Sequence, residues 1–245
     1  MTKVRERCMD FRKYEKHEAS NYADVNGVRI HYAAVGEGKN ILLVHGNGES
    51  HDLFCIQTGQ LAEAGYRVYA PDSRGHGVNR PEREYHYSDM AEDMYQLILT
   101  LGIEKTAFYG HSDGGIIGLM LEINHPGTLG ILAVSGTNLS PAGLSPSFLE
   151  EYSRANEEAV DPLITLMLTE PHIDPEELKG IKIPVLVTAG ENDIILRSET
   201  ELIASSLPDA SLVIVEGADH GSYIEDSEVM GELLIAFLRK RMEMS

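Results

Sequence analysis

The sequence predicts an α/β fold: a mainly parallel, twisted sheet of about eight strands, with helices on both faces and a short insertion over one end. Three observations predict it. Short apolar runs alternate with segments whose apolar residues recur at helical spacing, which is the signature of βαβ units. Several runs are continuous rather than alternating, as in Ile41-Leu42-Leu43-Val44, and so fit strands buried on both faces. Polar, glycine-bearing loops follow these runs, at the strand ends where such sheets bind ligands.

The elements follow in order. Residues 1–20 carry Arg5, Arg7, Arg12, Lys13 and Lys16 and read as a charged leader with no place in the core. Asn26-Gly27 sits between Tyr22-Ala-Asp-Val and Val28-Arg-Ile-His-Tyr, and Asn-Gly is the strongest short hairpin signal. The apolar strand that starts at Asn40 ends in His45-Gly46-Asn47-Gly48, and a helix is expected over about 50–64. Tyr66–Asp72 is the next strand, with Ser73-Arg-Gly-His-Gly77 as its loop. Met90, Met94, Leu97, Ile98 and Leu101 recur at helical spacing and predict a helix over about 87–101. Strands are expected at 105–110 and 130–135, with a helix between them that runs to about 125. The alternation then breaks. Residues 137–180 hold Pro141, Pro146, Pro162, Pro171 and Pro175 and read as a short cap. It resumes with a strand at 183–189, a helix at 198–206, a strand at 211–215 and a helix at 227–241. Val229, Leu233, Leu234, Phe237 and Leu238 are the expected inner face of that last helix. The core is therefore 21–136 with 181–245.

Composition narrows the function. At 245 residues, 42% apolar and 24% charged, the chain can bury one full core. Its formal net charge of −19 argues against nucleic acid and anionic membrane surfaces as partners. No apolar run reaches the ~18 residues of a membrane span, and no signal-peptide core follows Met1. The expectation is a cytoplasmic protein, monomeric or homodimeric. The two cysteines, Cys8 and Cys55, read as free thiols, and neither a metal nor a cofactor is expected.

The stretch that organises the chain is Lys105–Gly118. Its first half is apolar and its second half opens a helix. Between them, Gly110-His111-Ser112-Asp113-Gly114 fits the G-x-S-x-G nucleophile elbow. A serine at such an apex sits in a strained conformation, and its flanking glycines let the strand and helix backbones nearly touch. Its oxygen then stands at a helix N-terminus, rich in free N–H groups and positive in potential.

Five motifs in this order resemble the α/β-hydrolase family over about residues 22–242. His45–Gly48 is similar to its oxyanion loop, and Asp72-Ser-Arg-Gly-His-Gly77 to its D-x-R-G-x-G loop. Gly110–Gly114 is the elbow. Gly190-Glu-Asn-Asp193 and Gly217-Ala-Asp-His220 match the loops that carry the acid and the histidine. The order Ser, Asp, His is that of this fold. The resemblance implies Ser112 as nucleophile, His220 as base and Asp193 as the acid that orients it. It implies an oxyanion hole from the backbone N–H groups of Asn47 and Asp113. Rivals for the acid are Glu191 and Asn138, the latter unable to carry charge.

The expected reaction is hydrolysis of a small neutral carboxylic ester through an acyl-serine. A C–C bond hydrolase, lactonase or amidase, or a non-catalytic binder, is the alternative. Serine at the elbow argues against the epoxide hydrolases and haloalkane dehalogenases of the family, whose nucleophile is an aspartate. Substrate contacts are expected from His51, Leu139, Leu144, Phe148, Leu163 and Met167. His45, His76 and Arg74 read as loop-shaping residues. Asp113 reads first as a favourable acid at a helix start. Beside the oxyanion hole it would also repel anionic substrates and favour cationic or hydroxylated ones.

Overall fold

A computed structural model describes residues 21–242 apart from Arg80. The expectations for residues 1–20, Cys8 included, lie outside the described residues. Eight strands form one sheet in the order β1-β2-β4-β3-β5-β6-β7-β8. The strands are β1 Asn21–Val25, β2 Val28–Val35, β3 Lys39–Val44, β4 Tyr66–Pro71, β5 Thr106–His111, β6 Leu129–Ser135, β7 Val185–Gly190 and β8 Ala210–Val215. β2 is antiparallel to β1 and to β4, and all later pairings are parallel. The hairpin turns at Asn26 (φ 44°) and Gly27 (φ 78°), which is the both-positive geometry that makes Asn-Gly its usual sequence.

The helices are α1 Cys55–Glu63, α2 Tyr87–Leu101, α3 Asp113–Asn124, α4 Pro146–Glu158, α5 Pro162–Thr169, α6 Arg197–Ser206 and α7 Val229–Met242. The helix expected over 50–64 starts as a 3-10 turn at His51–Phe54. Gly102 ends α2 in the left-handed conformation (φ 64°), where glycine carries no Cβ penalty.

Alternate residues of each central strand feed opposite cores, which is why these runs are apolar throughout. Leu42, Val44, Phe108, Leu132, Val134, Val185 and Val187 pack under α2, α3 and α6. Ile41, Leu43, Tyr109, Ala133 and Leu186 face α1 and α7. Each fully buried aliphatic or aromatic side chain contributes about 1.5–3 kcal/mol of transfer free energy. Two layers of helix thus clamp the sheet and fix the height at which its loops emerge. Between β6 and β7 lie α4, α5 and 3-10 turns at Pro141–Gly143 and Glu177–Gly180. The two helices of this segment are thinly packed, α4 burying no residue and α5 burying Leu166, while Leu139, Ile173 and Leu178 join the core.

Two expectations need correction. Of the expected inner face of α7, Leu234, Phe237 and Leu238 are buried and Leu233 packs half-buried against the core, but Val229 is 39% exposed and Met230 is buried in its place. The first position differs because Gly231 closes on α1. A Cβ on it would stand 1.8 Å from Oε1 of Gln60, so that face must turn toward α1. Cys55 is disulfide-bonded and not a free thiol. The cytoplasmic expectation loses its cysteine argument with it. No helix among the described residues is long and apolar enough to cross a membrane.

The α7 register gives a direct test. Met230→Ala should cost about 2–4 kcal/mol in urea unfolding, and Val229→Ala less than about 0.5. Equal costs would restore the earlier register.

Candidate active site

The elbow forms because three backbones converge on it. A Cβ on Gly110 would stand 2.1 Å from the Gly114 carbonyl carbon, and one on Gly114 would stand 1.9 Å from the Val44 oxygen. Only glycine allows β5, α3 and the end of β3 to meet so closely. Ser112 takes up the turn at φ 53°, ψ −117°, a region that costs a non-glycine residue about 1–3 kcal/mol. Its N–H donates to the Ser135 carbonyl at 2.7 Å, which holds the strained residue in place.

Two distant loops complete the cluster. The loop after β8 brings His220, whose Nε2 lies 3.1 Å from Ser112 Oγ. The loop after β7 brings Asp193, whose Oδ1 lies 2.6 Å from His220 Nδ1. A carboxylate can only accept, so Nδ1 carries the proton and Nε2 turns a lone pair to the serine hydroxyl. Asp193 is itself held by Ile195 N–H at Oδ1 (3.0 Å) and Gly190 N–H at Oδ2 (3.2 Å). Its side chain is 2% exposed, against 22% for His220. Glu191 points elsewhere and accepts the Gly217 N–H at 2.8 Å. Asn138 donates to the Ser140 carbonyl.

The residues expected to supply oxyanion donors flank Ser112. Gly46 packs so tightly that a Cβ on it would stand 2.9 Å from Ser112 Cβ. Neither the Asn47 nor the Asp113 backbone N–H has an acceptor among the described residues. Their side chains meet: Asn47 Nδ2 donates to Asp113 Oδ2 at 3.0 Å. The second Nδ2 proton goes to the Leu163 carbonyl of α5, also at 3.0 Å. Burial raises the Asp113 carboxyl above the usual range, and the Tyr87 hydroxyl beside it and the Asn47 amide pull it part of the way back. Glu49, which sequence reasoning missed, also belongs here. Its Oε2 accepts the Gly46 N–H at 2.7 Å, and burial raises its carboxyl. The H-G-x-G-E spacing was the available signal.

The other expected residues have the following contacts. Leu163 is joined to it through Asn47. Leu139 and Leu144 are buried at 2% and 3% exposure; the Leu139 carbonyl accepts from Ile173 and Leu144 bridges to Ile195. Phe148 stacks on Tyr152 along α4, and Met167 is half-buried on α5. His51 Nδ1 lies 2.8 Å from Asp72 Oδ1, and His31 Nδ1 lies 2.9 Å from Asp72 Oδ2. His31, His51 and Asp72 have the ligand types of a metal site. The carboxylate is already filled, however, because the His51 and Val78 N–H groups bond it as well. Burial would raise the Asp72 carboxyl, but these bonds outweigh it and hold it well below the carboxylate range. This knot ties the start of the segment after β3 to the loop after β4. Arg74 ties the neighbouring loop to α2 through a two-pronged bond to Asp93 at 2.7 and 2.6 Å.

A family model described as the alpha/beta hydrolase fold matches residues 39–161, and one for TAP-like proteins matches residues 157–242. The chain belongs to the α/β-hydrolase fold family. It is 32% identical over 127 residues to bifunctional epoxide hydrolase 2 of Sus scrofa, which covers 51% of the chain and 23% of that protein. The chain thus spans about a quarter of the length of that relative. It is 25% identical over 248 residues to human serine hydrolase BPHL, covering 88% of the chain and 84% of BPHL. An esterase structure from Exiguobacterium antarcticum superposes with a TM-score of 0.80 at 19% identity, covering 90% of the chain and all of the esterase.

His45 yields a pH test. Its Nε2 accepts the Ser73 N–H at 3.0 Å and its Nδ1 meets the Gly46 carbonyl at 2.8 Å, which fixes it neutral with the proton on Nδ1. Burial pushes its pKa down to about 4. The unfolded chain therefore takes up this proton first, so stability falls as pH drops from about 6.5 to 4. The full effect is on the order of 3 kcal/mol. Urea midpoints across that window should fall less steeply for His45→Asn than for the parent. Parallel slopes would mean that His45 is not the group titrating.

Proposed function

We propose that this chain is a serine hydrolase that cleaves small neutral carboxylic esters through an acyl-serine intermediate. The observation that carries the reading is the unbroken line from Asp193 through His220 to Ser112 Oγ, set at the N-terminus of α3. In this reading His220 Nε2 takes the Ser112 proton as Oγ attacks the ester carbonyl. The carbonyl oxygen becomes an oxyanion between the Asn47 and Asp113 N–H groups, each worth roughly 3–4 kcal/mol there. Asp193 stabilises the imidazolium as it forms. His220 then protonates the leaving alcohol. Water, activated by the same imidazole, releases the carboxylic acid and restores Ser112.

The charge distribution supports neutral substrates. Asp113 and Glu49 place two carboxyl groups beside Ser112, in a chain of net charge −19. A substrate carboxylate near the scissile bond would meet both. The short cap supports small acyl groups, since each buried methylene adds about 0.8 kcal/mol only until the space is full.

A panel of chromogenic esters tests the proposal. Neutral acyl chains of roughly two to eight carbons should give the highest kcat/KM, and matched anionic esters should be poor at low salt. Ser112→Ala should reduce turnover by ~10³-fold or more. Preference for the anionic ester, or retained turnover in the alanine variant, would overturn the reading.

A further inference from the structure

An oxyanion hole needs two N–H groups aimed at one oxygen, so the distance between their carriers must be fixed to a fraction of an ångström. Here the carriers are 66 residues apart, Asn47 on the loop after β3 and Asp113 at the elbow. Among the described residues, one hydrogen bond joins residues 46–48 to residues 112–114, and it runs from Asn47 Nδ2 to Asp113 Oδ2. The residues that supply the two backbone donors are thus tied to each other by their own side chains. Both partners of the Asn47 amide accept, the Asp113 carboxyl and the Leu163 carbonyl. The amide orientation is therefore fixed by chemistry, with its NH₂ end shared between them.

The tie explains a cost. Asp113 is 5% exposed, and a carboxyl so deeply buried is unfavourable unless it is hydrogen-bonded. A helix start would stabilise an acid equally well with its head in water. The side chain instead folds inward, onto the Asn47 amide and beside the Tyr87 hydroxyl. Tyr87 opens α2, and its N–H donates to Glu170 of the cap at 3.1 Å. Asn47 reaches the cap at Leu163. The Asn47 end of the pair is thus held to α5.

We propose that Asn47 and Asp113 form a side-chain clamp that sets the spacing of the two oxyanion donors, so that both act as positioning residues for the transition state. The clamp rests on the hydrolase reading given above, and it assigns the Asp113 side chain a role besides repelling anions. It binds no part of the ground-state ester. Its loss should therefore appear in kcat and leave KM nearly unchanged.

A double-mutant cycle tests it, on the full chain with a short neutral ester. Asn47→Ala and Asp113→Ala should each lower kcat by about 30- to 100-fold, a part of the 10²–10³ lost with a whole oxyanion donor, with KM within about twofold. The double variant should fall no more than about threefold below the worse single one, because either change alone opens the clamp. Asp113→Asn, whose carboxamide oxygen can still accept from Asn47, should recover at least tenfold over Asp113→Ala. The rate at which a fluorophosphonate modifies Ser112 should follow the same order, since its tetrahedral adduct uses the same donors. Multiplicative losses, no recovery in the asparagine variant, or losses that fall on KM would overturn the clamp. A parent protein that neither hydrolyses esters nor takes the probe at Ser112 would overturn the hydrolase reading and the clamp together.

Discussion

The close approach of three backbones at the elbow is the constraint on which the rest depends. Gly110 and Gly114 allow α3 to start directly against β5 and β3, and their missing side chains leave no room for adjustment. That contact forces Ser112 into its strained turn and lifts its hydroxyl clear of the sheet. It also brings Gly46 against Ser112, which places the loop after β3 beside the helix start. The strain at one residue costs about 1–3 kcal/mol. The two apolar layers that hold the strands offset it many times over, so the sheet serves as an anvil for the site.

Around that fixed point, hydrogen bonds do the fine positioning. His220 is reached through Asp193, itself locked by the Ile195 and Gly190 N–H groups. The loop after β3 is held by the Asp72 knot and by His45, and its Asn47 reaches Asp113 and α5. Each of these groups is buried or half-buried, where a satisfied hydrogen bond is stronger than in water and a broken one costs more. These loops are thus held firmly, while α4 and α5 hold few buried anchors.

Much of this was legible in the sequence. Continuous apolar runs gave strand positions to within a residue or two, because a strand buried on both faces has no polar alternation to blur it. The turn at Asn26-Gly27 was readable because few sequences tolerate two positive φ values. The elbow was readable because its glycines are steric requirements. What the pattern did not carry were contacts between distant side chains. The inward fold of Asp113 onto Asn47 and the pairing of His51 with Asp72 depend on loops that meet only in the folded chain. The first buried position of α7 was missed because Val229 and Met230 are equally apolar, and the close fit of Gly231 against Gln60 decides between them. Nor did sparse cysteine content reveal that Cys55 is in a disulfide.

Every role proposed for these loops depends on Ser112 as the nucleophile. The most direct measurement is peptide mapping by mass spectrometry after reaction with a fluorophosphonate. The account predicts one adduct per chain, on Ser112, formed at a rate that collapses when His220 is replaced by alanine. Modification at any other residue, or a Ser112 adduct formed equally fast without His220, would contradict it.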